Sequence, residues 1–194
     1  MKNKLIGFLG AAGSGKTTIA CAMKEYLLDK KISSDVCTEY AREFCFKYGI
    51  PKHPYTQYRI TNEQINREDL LLKGNNEYIF TDSPVWLGYV YGLVNMKASF
   101  DYEIQTSLND MYEKFVINHI HRYHKVFYLK LDGDPHDDGC RDIPWTREVS
   151  RVLDGFVLSH QHMLPIITMN DIKVDETARR KKFVWEHMIE KVEK

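Results

Sequence analysis

Gly10, Gly15, Lys16 and Thr17 occupy the fixed positions of G-x-x-x-x-G-K-[ST] in the stretch GAAGSGKTT, Gly10 to Thr18. Each residue type has a chemical reason to be there. Glycines let the backbone curl so that successive N–H groups point inward, an anion nest at the start of a helix. Lys16 is then placed to reach the β- and γ-phosphates of a nucleoside triphosphate, and the Thr17 hydroxyl to ligate Mg2+. Gly10, Ala11, Ala12, Gly13, Ser14, Gly15, Lys16, Thr17 and Thr18 together are expected to hold that triphosphate.

Three further groups of polar residues could act on such a phosphate. VCTEYAREF brings Glu39, Arg42 and Glu43 to the end of an apolar run. A carboxylate at Glu39, near the γ-phosphate, suits a general base for an acceptor hydroxyl, as against a helix-capping or salt-bridging role. EYIFTDSP carries Asp82 at a strand end, where a carboxylate holds the Mg2+ shell through water; a helix N-cap is the competing reading. Ser83 and Pro84 suit the cap and first position of the next helix. DGDPHDDGCRDIPWTREVSR is a loop followed by Arg141, Arg147 and Arg151. Arg147 and Arg151 share a helical face, and arginines closing over a transferring phosphoryl group stabilise its charge and exclude water. Surface pairing with Asp142 or Glu148 is the alternative.

These residues meet only if the elements around them place them on one edge. Apolar runs predict strands at Leu5–Leu9, Asp35–Glu39, Tyr78–Asp82, Val126–Leu131 and Leu164–Met169. Helical stretches fall between them, at Lys16–Lys31, Ala41–Tyr48, Thr56–Lys73, Pro84–Val94, Tyr102–Tyr123, Pro144–His162 and Glu176–Val192. Alternating strands and helices mean an α/β fold with a parallel sheet and right-handed crossovers, whose ligands sit at the carboxyl ends of the strands. No repeat or low-complexity linker appears, so residues 1–194 are expected to form one domain.

The bulk properties narrow the function. Lys plus Arg equals Asp plus Glu, at 27 each, which provides no global basic field for nucleic acid, although a local patch would suffice. MKNKLIGF enters a strand directly, and no segment approaches the roughly 20 apolar residues of a membrane span, so a cytoplasmic location is expected. Cys21, Cys37, Cys45 and Cys140 lack metal-site spacing and read as reduced thiols. His119, His121 and His124 read as a solvated helix end rather than a metal site. Asn170–Asp175 could line an adenine pocket, and the Arg179–Lys182 run reads as a solvated face.

GAAGSGKTT, EYAREF, TDSP and DDGCR together resemble the P-loop kinases grouped with the ribosylnicotinamide kinase domain of NadR. That group includes AAA-type ATPase domains, many of them phage-encoded. The resemblance spans about Leu5 to Trp185. It implies a three-layer P-loop fold with strand order 2-3-1-4-5, a lid at about 132–151, and transfer of the γ-phosphate of ATP, with Mg2+, to a small hydroxyl-bearing acceptor. It places Glu39 at the acidic base, Arg42 at a substrate-side arginine, Asp82 at the magnesium-side acid, and Asp138, Gly139 and Arg141 at the lid motif. It also implies a phage-encoded protein acting in the host cytoplasm. The acceptor stays open among a nucleoside, a nucleotide and a hydroxymethylated base, 5-hydroxymethyluracil in DNA included. Tyr40, Phe44, Tyr55, Tyr58, Trp86 and Tyr89 could stack on a base or belong to the core, and Gln64 and Arg67 could bond a base edge or face solvent. The competing class is an NTPase switch without an acceptor; the chain has no NKxD run for guanine. Either a monomer or a homodimer fits.

Overall fold

The computed structural model describes residues 3–51, 53–96, 106, 110, 113–115, 117–133 and 143–188. Its sheet grows outward from β1, Lys4–Leu9, whose residues from Leu5 on are all buried. Side chains alternate across a strand, so a strand covered on both faces must be apolar throughout. Leu5 and Leu9 point to one face, while Ile6 and Phe8 point to the other. β3 (Tyr78–Thr81) and β4 (Lys125–Leu129) flank β1 in parallel, with Ile6 opposite Phe80 and Phe8 opposite Phe127. β2 (Ser34–Cys37) and β5 (Ile166–Met169) form the half-buried edges. The order is β2-β3-β1-β4-β5, the five-stranded parallel arrangement expected of a P-loop fold.

Helices cover both faces and complete the three layers. α1 (Lys16–Asp29) and a C-terminal helix, Thr177–Met188, contribute Ile19, Met23, Leu27, Val184 and Met188 to the core with Ile6, Phe8 and Phe127. On the other face lie α3 (Pro54–Leu72) and α4 (Val85–Met96), together with α5 (Ile143–His160); the C-terminal helix is therefore α6. The face of α5 is written in its sequence as Thr146, Val149, Leu153 and Val157, buried at spacings of three and four. α2, Tyr40–Tyr48, is short and buries only Ala41 completely. Each crossover returns the chain to the same edge of the sheet, so the segments after β1, β2 and β3 converge there.

Several boundaries differ from the sequence expectation. β2 ends at Cys37, so Glu39 stands two residues beyond it, as the N-cap residue of α2. β4 stops at Leu129 and β5 starts at Ile166. α4 begins at Val85, not Pro84. The Val85 N–H is met from a distance by the Tyr123 hydroxyl, at 2.7 Å, rather than by Ser83. Of the long helix expected at Tyr102–Tyr123, the described residues 113–115 and 117–119 are helical and pass into a 3-10 turn at Ile120–Arg122. Among the described residues no helix is long and apolar enough to cross a membrane.

Candidate active site

The loop between β1 and α1 shows why its residues are small. Gly15 is the N-cap residue of α1 at φ 84°, a left-handed conformation that suits glycine. A Cβ on Gly10 would collide with the Ser14 hydroxyl and stand 2.6 Å from the Leu129 carbonyl oxygen. Ala11 and Ala12 are buried, and the Ala11 carbonyl accepts from Lys16 Nζ at 2.8 Å and from the Ser14 N–H at 3.3 Å. Lys16 is thus folded back over its own loop and only 6 % exposed. Gly13 at φ 82° completes the curl. α1 has no side-chain cap and no acid in its first turn. The positive end of its dipole at that turn suits an anion. Thr17 and Thr18 are exposed on that first turn.

Asp82 follows β3 and is 1 % exposed. Its Oδ2 accepts a 2.5 Å hydrogen bond from the Thr17 hydroxyl, whereas Oδ1 is buried with no hydrogen-bond partner among the described residues. Its pKa is raised to about 6, chiefly by burial; the Glu39 charge adds to the rise, while the Thr17 hydrogen bond, Lys16 and Arg42 oppose it. The charges of Glu39, Lys16 and Arg42 thus all reach the Asp82 carboxylate. Asp82 does not cap α4, since its carboxylate is turned toward the phosphate loop. A buried carboxylate oxygen without a donor, beside a threonine hydroxyl, is the hard-oxygen pairing that suits Mg2+ shared with phosphate, so the donor set fits that cation.

Glu39 is 8 % exposed, and Arg42 follows on the exposed face of the first turn of α2. The start of α2 is held by Gln64, whose Oε1 accepts from the Tyr40 N–H at 2.8 Å and whose Nε2 lies 3.4 Å from Cys37 Sγ and 3.3 Å from Thr81 Oγ1. Read from the sequence as bonding a base edge or facing solvent, Gln64 is buried and directs its amide to the start of α2 and the tips of β2 and β3. It lines a small cavity of about 10 Å³, with Gln57, Thr61 and Ser83. Arg67, the other residue expected at a base edge, is engaged by both Glu43 oxygens, at 2.6 and 2.7 Å, and lies 4.4 Å from the centre of the Tyr40 ring.

The aromatics divide into two groups. Trp86 is fully buried, its ring 5.5 Å from Tyr123 and 6.3 Å from Phe156, so neither face is open to a base. The apolar character of α4 puts it in the core. Tyr40, Phe44, Tyr55 and Tyr58 instead border a cleft of about 370 Å³ between α2 and α3, with Arg59, Asn62 and Glu63. Tyr55 and Tyr58 are stacked, 6.0 Å apart at 17°.

A second hollow, of about 570 Å³, lies beyond β4 and β5, lined by Lys130, Asp132, Asn170, Asp171 and Lys173 among others. Part of the stretch expected beside adenine thus borders open space. Arg147 is exposed near the start of α5, and Arg151 forms a two-point pair with Glu148, at 2.8 Å each, as the surface alternative foresaw. Asp138, Gly139 and Arg141 lie outside the described residues.

The basic run of α6 corrects one expectation. Arg180 is not solvated but 2 % exposed; it donates from NH1 to the Ser14 carbonyl at 2.8 Å and from Nε and NH2 to the Ile172 carbonyl at 3.3 and 3.1 Å. Burial lowers its pKa, opposed by the charges of Asp132, Glu176 and Asp175. The signal was its spacing: Arg180, Val184 and Met188 recur every four residues as the buried face of α6. A further buried network escaped the sequence reading. Glu68, fully buried, pairs with Arg122 Nε at 2.9 Å and accepts from Tyr123, whose hydroxyl oxygen holds the start of α4.

Comparison with known proteins agrees with this geometry. The family model described as AAA domain matches residues 5–171. No curated protein sequence matches the chain significantly. A deoxyadenosine kinase from M. mycoides with bound dATP superposes with a TM-score of 0.70 at 14 % identity, over 95 % of this chain and 98 % of that one. NadR protein in complex with NR gives a TM-score of 0.70 at 16 % identity over 97 % of this chain; NadR in complex with NAD and AMP-PNP gives 0.68 at 17 %. The chain spans about half of NadR, 53 % and 51 % in the two structures. At these identities the likeness is one of fold.

Proposed function

We propose, given that the chain belongs to the family of AAA domains, that it transfers the γ-phosphate of ATP to a hydroxyl of a nucleoside- or nucleotide-like acceptor. The observation that carries this reading is the meeting of Lys16, Thr17 and Asp82 with Glu39 at one end of the sheet. A phosphate-binding loop alone would serve any NTPase. A nearly buried carboxylate at the start of α2, whose charge reaches Asp82, adds what an acceptor hydroxyl needs. The shared fold with structures named as deoxyadenosine kinase and NadR supports an acceptor of that class.

In this reading the N–H groups of Gly13 to Lys16 and the α1 dipole hold the phosphates, and Lys16 exchanges the Ala11 carbonyl for a phosphate oxygen. Thr17 and Asp82 would hold Mg2+, which supplies neutralisation of the phosphate charge. The acceptor hydroxyl oxygen forms a bond to the γ-phosphorus as the bond to the β-bridging oxygen breaks. Its proton passes to the Glu39 carboxylate, and ADP leaves with the bridging oxygen. Arg42 would orient the acceptor, and the cleft of Tyr40, Phe44, Tyr55 and Tyr58 would take its planar part. The hollow beside Asn170 would take the adenine of ATP. Arg147 and Arg141 would close over the transferring group, and Asp138 would contact the acceptor.

The test is transfer from γ-labelled ATP with Mg2+ to a panel of nicotinamide riboside, deoxynucleosides, nucleoside monophosphates and DNA containing 5-hydroxymethyluracil. Label on a soluble acceptor is the expected result and identifies it. Label on the DNA would move the acceptor from a free metabolite to a base. Label in free phosphate alone, whatever acceptor is present, would overturn the kinase reading in favour of an NTPase switch.

A further inference from the structure

Arg180 and Ser14 are 166 positions apart, yet they share a buried hydrogen bond. The contact is directional. A trans peptide is planar, and its C=O and N–H point in opposite directions. The Ser14 carbonyl is drawn toward α6 by Arg180 NH1, so the N–H of the same peptide unit, that of Gly15, is turned the other way. Gly15 itself confirms how tightly this arrangement is packed: a Cβ there would stand 2.8 Å from NH1 and 3.4 Å from Val174 Cγ1. The glycine is thus required by its φ of 84° and by the guanidinium behind it.

The rest of the guanidinium is used on the far side. Nε and NH2 both donate to the Ile172 carbonyl, in the segment after β5 that borders the hollow beside Asn170. One rigid, planar fork therefore spans the loop that precedes α1 and the loop that precedes α6. A lysine in its place has a single ammonium on a flexible stem and no comparable fork. The cost of burying a cation at 2 % exposure is offset here by these carbonyls and by the acids Asp132, Asp175 and Glu176.

We propose that Arg180 is a positioning residue for nucleotide binding. It holds the Ser14–Gly15 peptide with its carbonyl outward, aims the Gly15 N–H into the phosphate-binding concavity, and ties that concavity to the segment beside the base hollow. The inference rests on the nucleotide site described under Proposed function and adds to it a residue that touches no ligand. Truncation of Arg180 frees the peptide to rotate, so the loss falls first on the phosphates.

The experiment is calorimetric titration of ATP and, separately, of inorganic triphosphate into the full chain, with no acceptor present, for wild type, Arg180→Met and Arg180→Lys. Thermal melting of each variant and the amide shift of 15N-labelled Gly15 on adding triphosphate are measured alongside. Wild type is expected to bind both probes. Arg180→Met should bind both on the order of tenfold to a hundredfold more weakly, the loss of a hydrogen bond to a charged group, and lose most of the Gly15 shift at saturation. Arg180→Lys should fall between them. A merely structural role would lower the melting temperature and leave the Gly15 shift of the bound state unchanged. A folded Arg180→Met that binds triphosphate like wild type, with the same Gly15 shift, overturns the proposal. If Arg180→Met does not fold, Arg180→Lys decides by the same two readouts. A wild type that binds neither probe removes the nucleotide site itself, and the proposal with it, whereas wild-type binding with unaltered variants removes only the role of Arg180.

Discussion

The Thr17 hydroxyl and the Asp82 carboxylate, 65 positions apart, are joined by a 2.5 Å hydrogen bond, and the second Asp82 oxygen is buried with no donor among the described residues. The pair links the first turn of α1 to the tip of β3. It also holds a carboxylate in an environment that disfavours its charge.

Asp82 gives stability a definite pH dependence. Its pKa is raised from 3.8 to about 6, chiefly by burial. An acid whose folded pKa exceeds its unfolded one favours the folded state most when protonated. Its contribution is therefore complete below about pH 4 and lost as the pH rises to about 6. Asp82→Asn carries no charge at any pH. Without nucleotide or divalent cation it should be more stable than wild type above pH 6, by up to about 3 kcal/mol, with the difference closing below pH 4. Urea unfolding midpoints across that range check this. A wild type that gains on Asp82→Asn as the pH rises from 4 to 6 would contradict it.

Glu39→Gln separates binding from transfer. The amide keeps the shape of the side chain and its place ahead of α2 but cannot take a proton. Phosphate transfer should fall by about 10²- to 10⁴-fold, the usual contribution of a general base, while ATP affinity stays within about twofold. Turnover comparable with wild type would remove Glu39 from the mechanism.

Gln64→Leu tests whether Gln64 supports the site from behind. The substitution orphans the Tyr40 N–H, at a cost of about 1–3 kcal/mol, and loosens the residue next to Glu39. The expected signature is a lower kcat, faster hydrogen exchange at Tyr40 and an unchanged preference among acceptors. A change in which base is accepted, with stability intact, would instead return Gln64 to a base-reading role.

Trp86→Ala should behave as a core truncation. Removing a fully buried indole costs about 3–5 kcal/mol, read as a lower unfolding midpoint. Trp86→Phe, which keeps most of the ring, should recover much of that and leave acceptor KM near wild type. An acceptor KM raised in Trp86→Phe without loss of stability would place the ring at the acceptor after all.

What could be read from the chain alone was whatever depends on neighbours in sequence. The GAAGSGKTT loop, the apolar run of β1 and the helical face of α5 are set by local geometry and by the two-residue and 3.6-residue periods of side-chain burial. These sufficed to expect the phosphate loop between β1 and α1 and an acid just after β3, and the sheet order expected from the family likeness is the one observed. The roles of Trp86, Gln64 and Arg180 depended on contacts across the fold. An indole in an apolar helix reads alike whether it stacks on a base or on Phe156. An arginine within a basic run looks solvated until the carbonyls of Ser14 and Ile172 arrive from two distant loops. Burial and long-range hydrogen bonding are properties of the packed chain, and only the tertiary structure decided which polar groups would spend their donors on the protein and which would remain for a ligand.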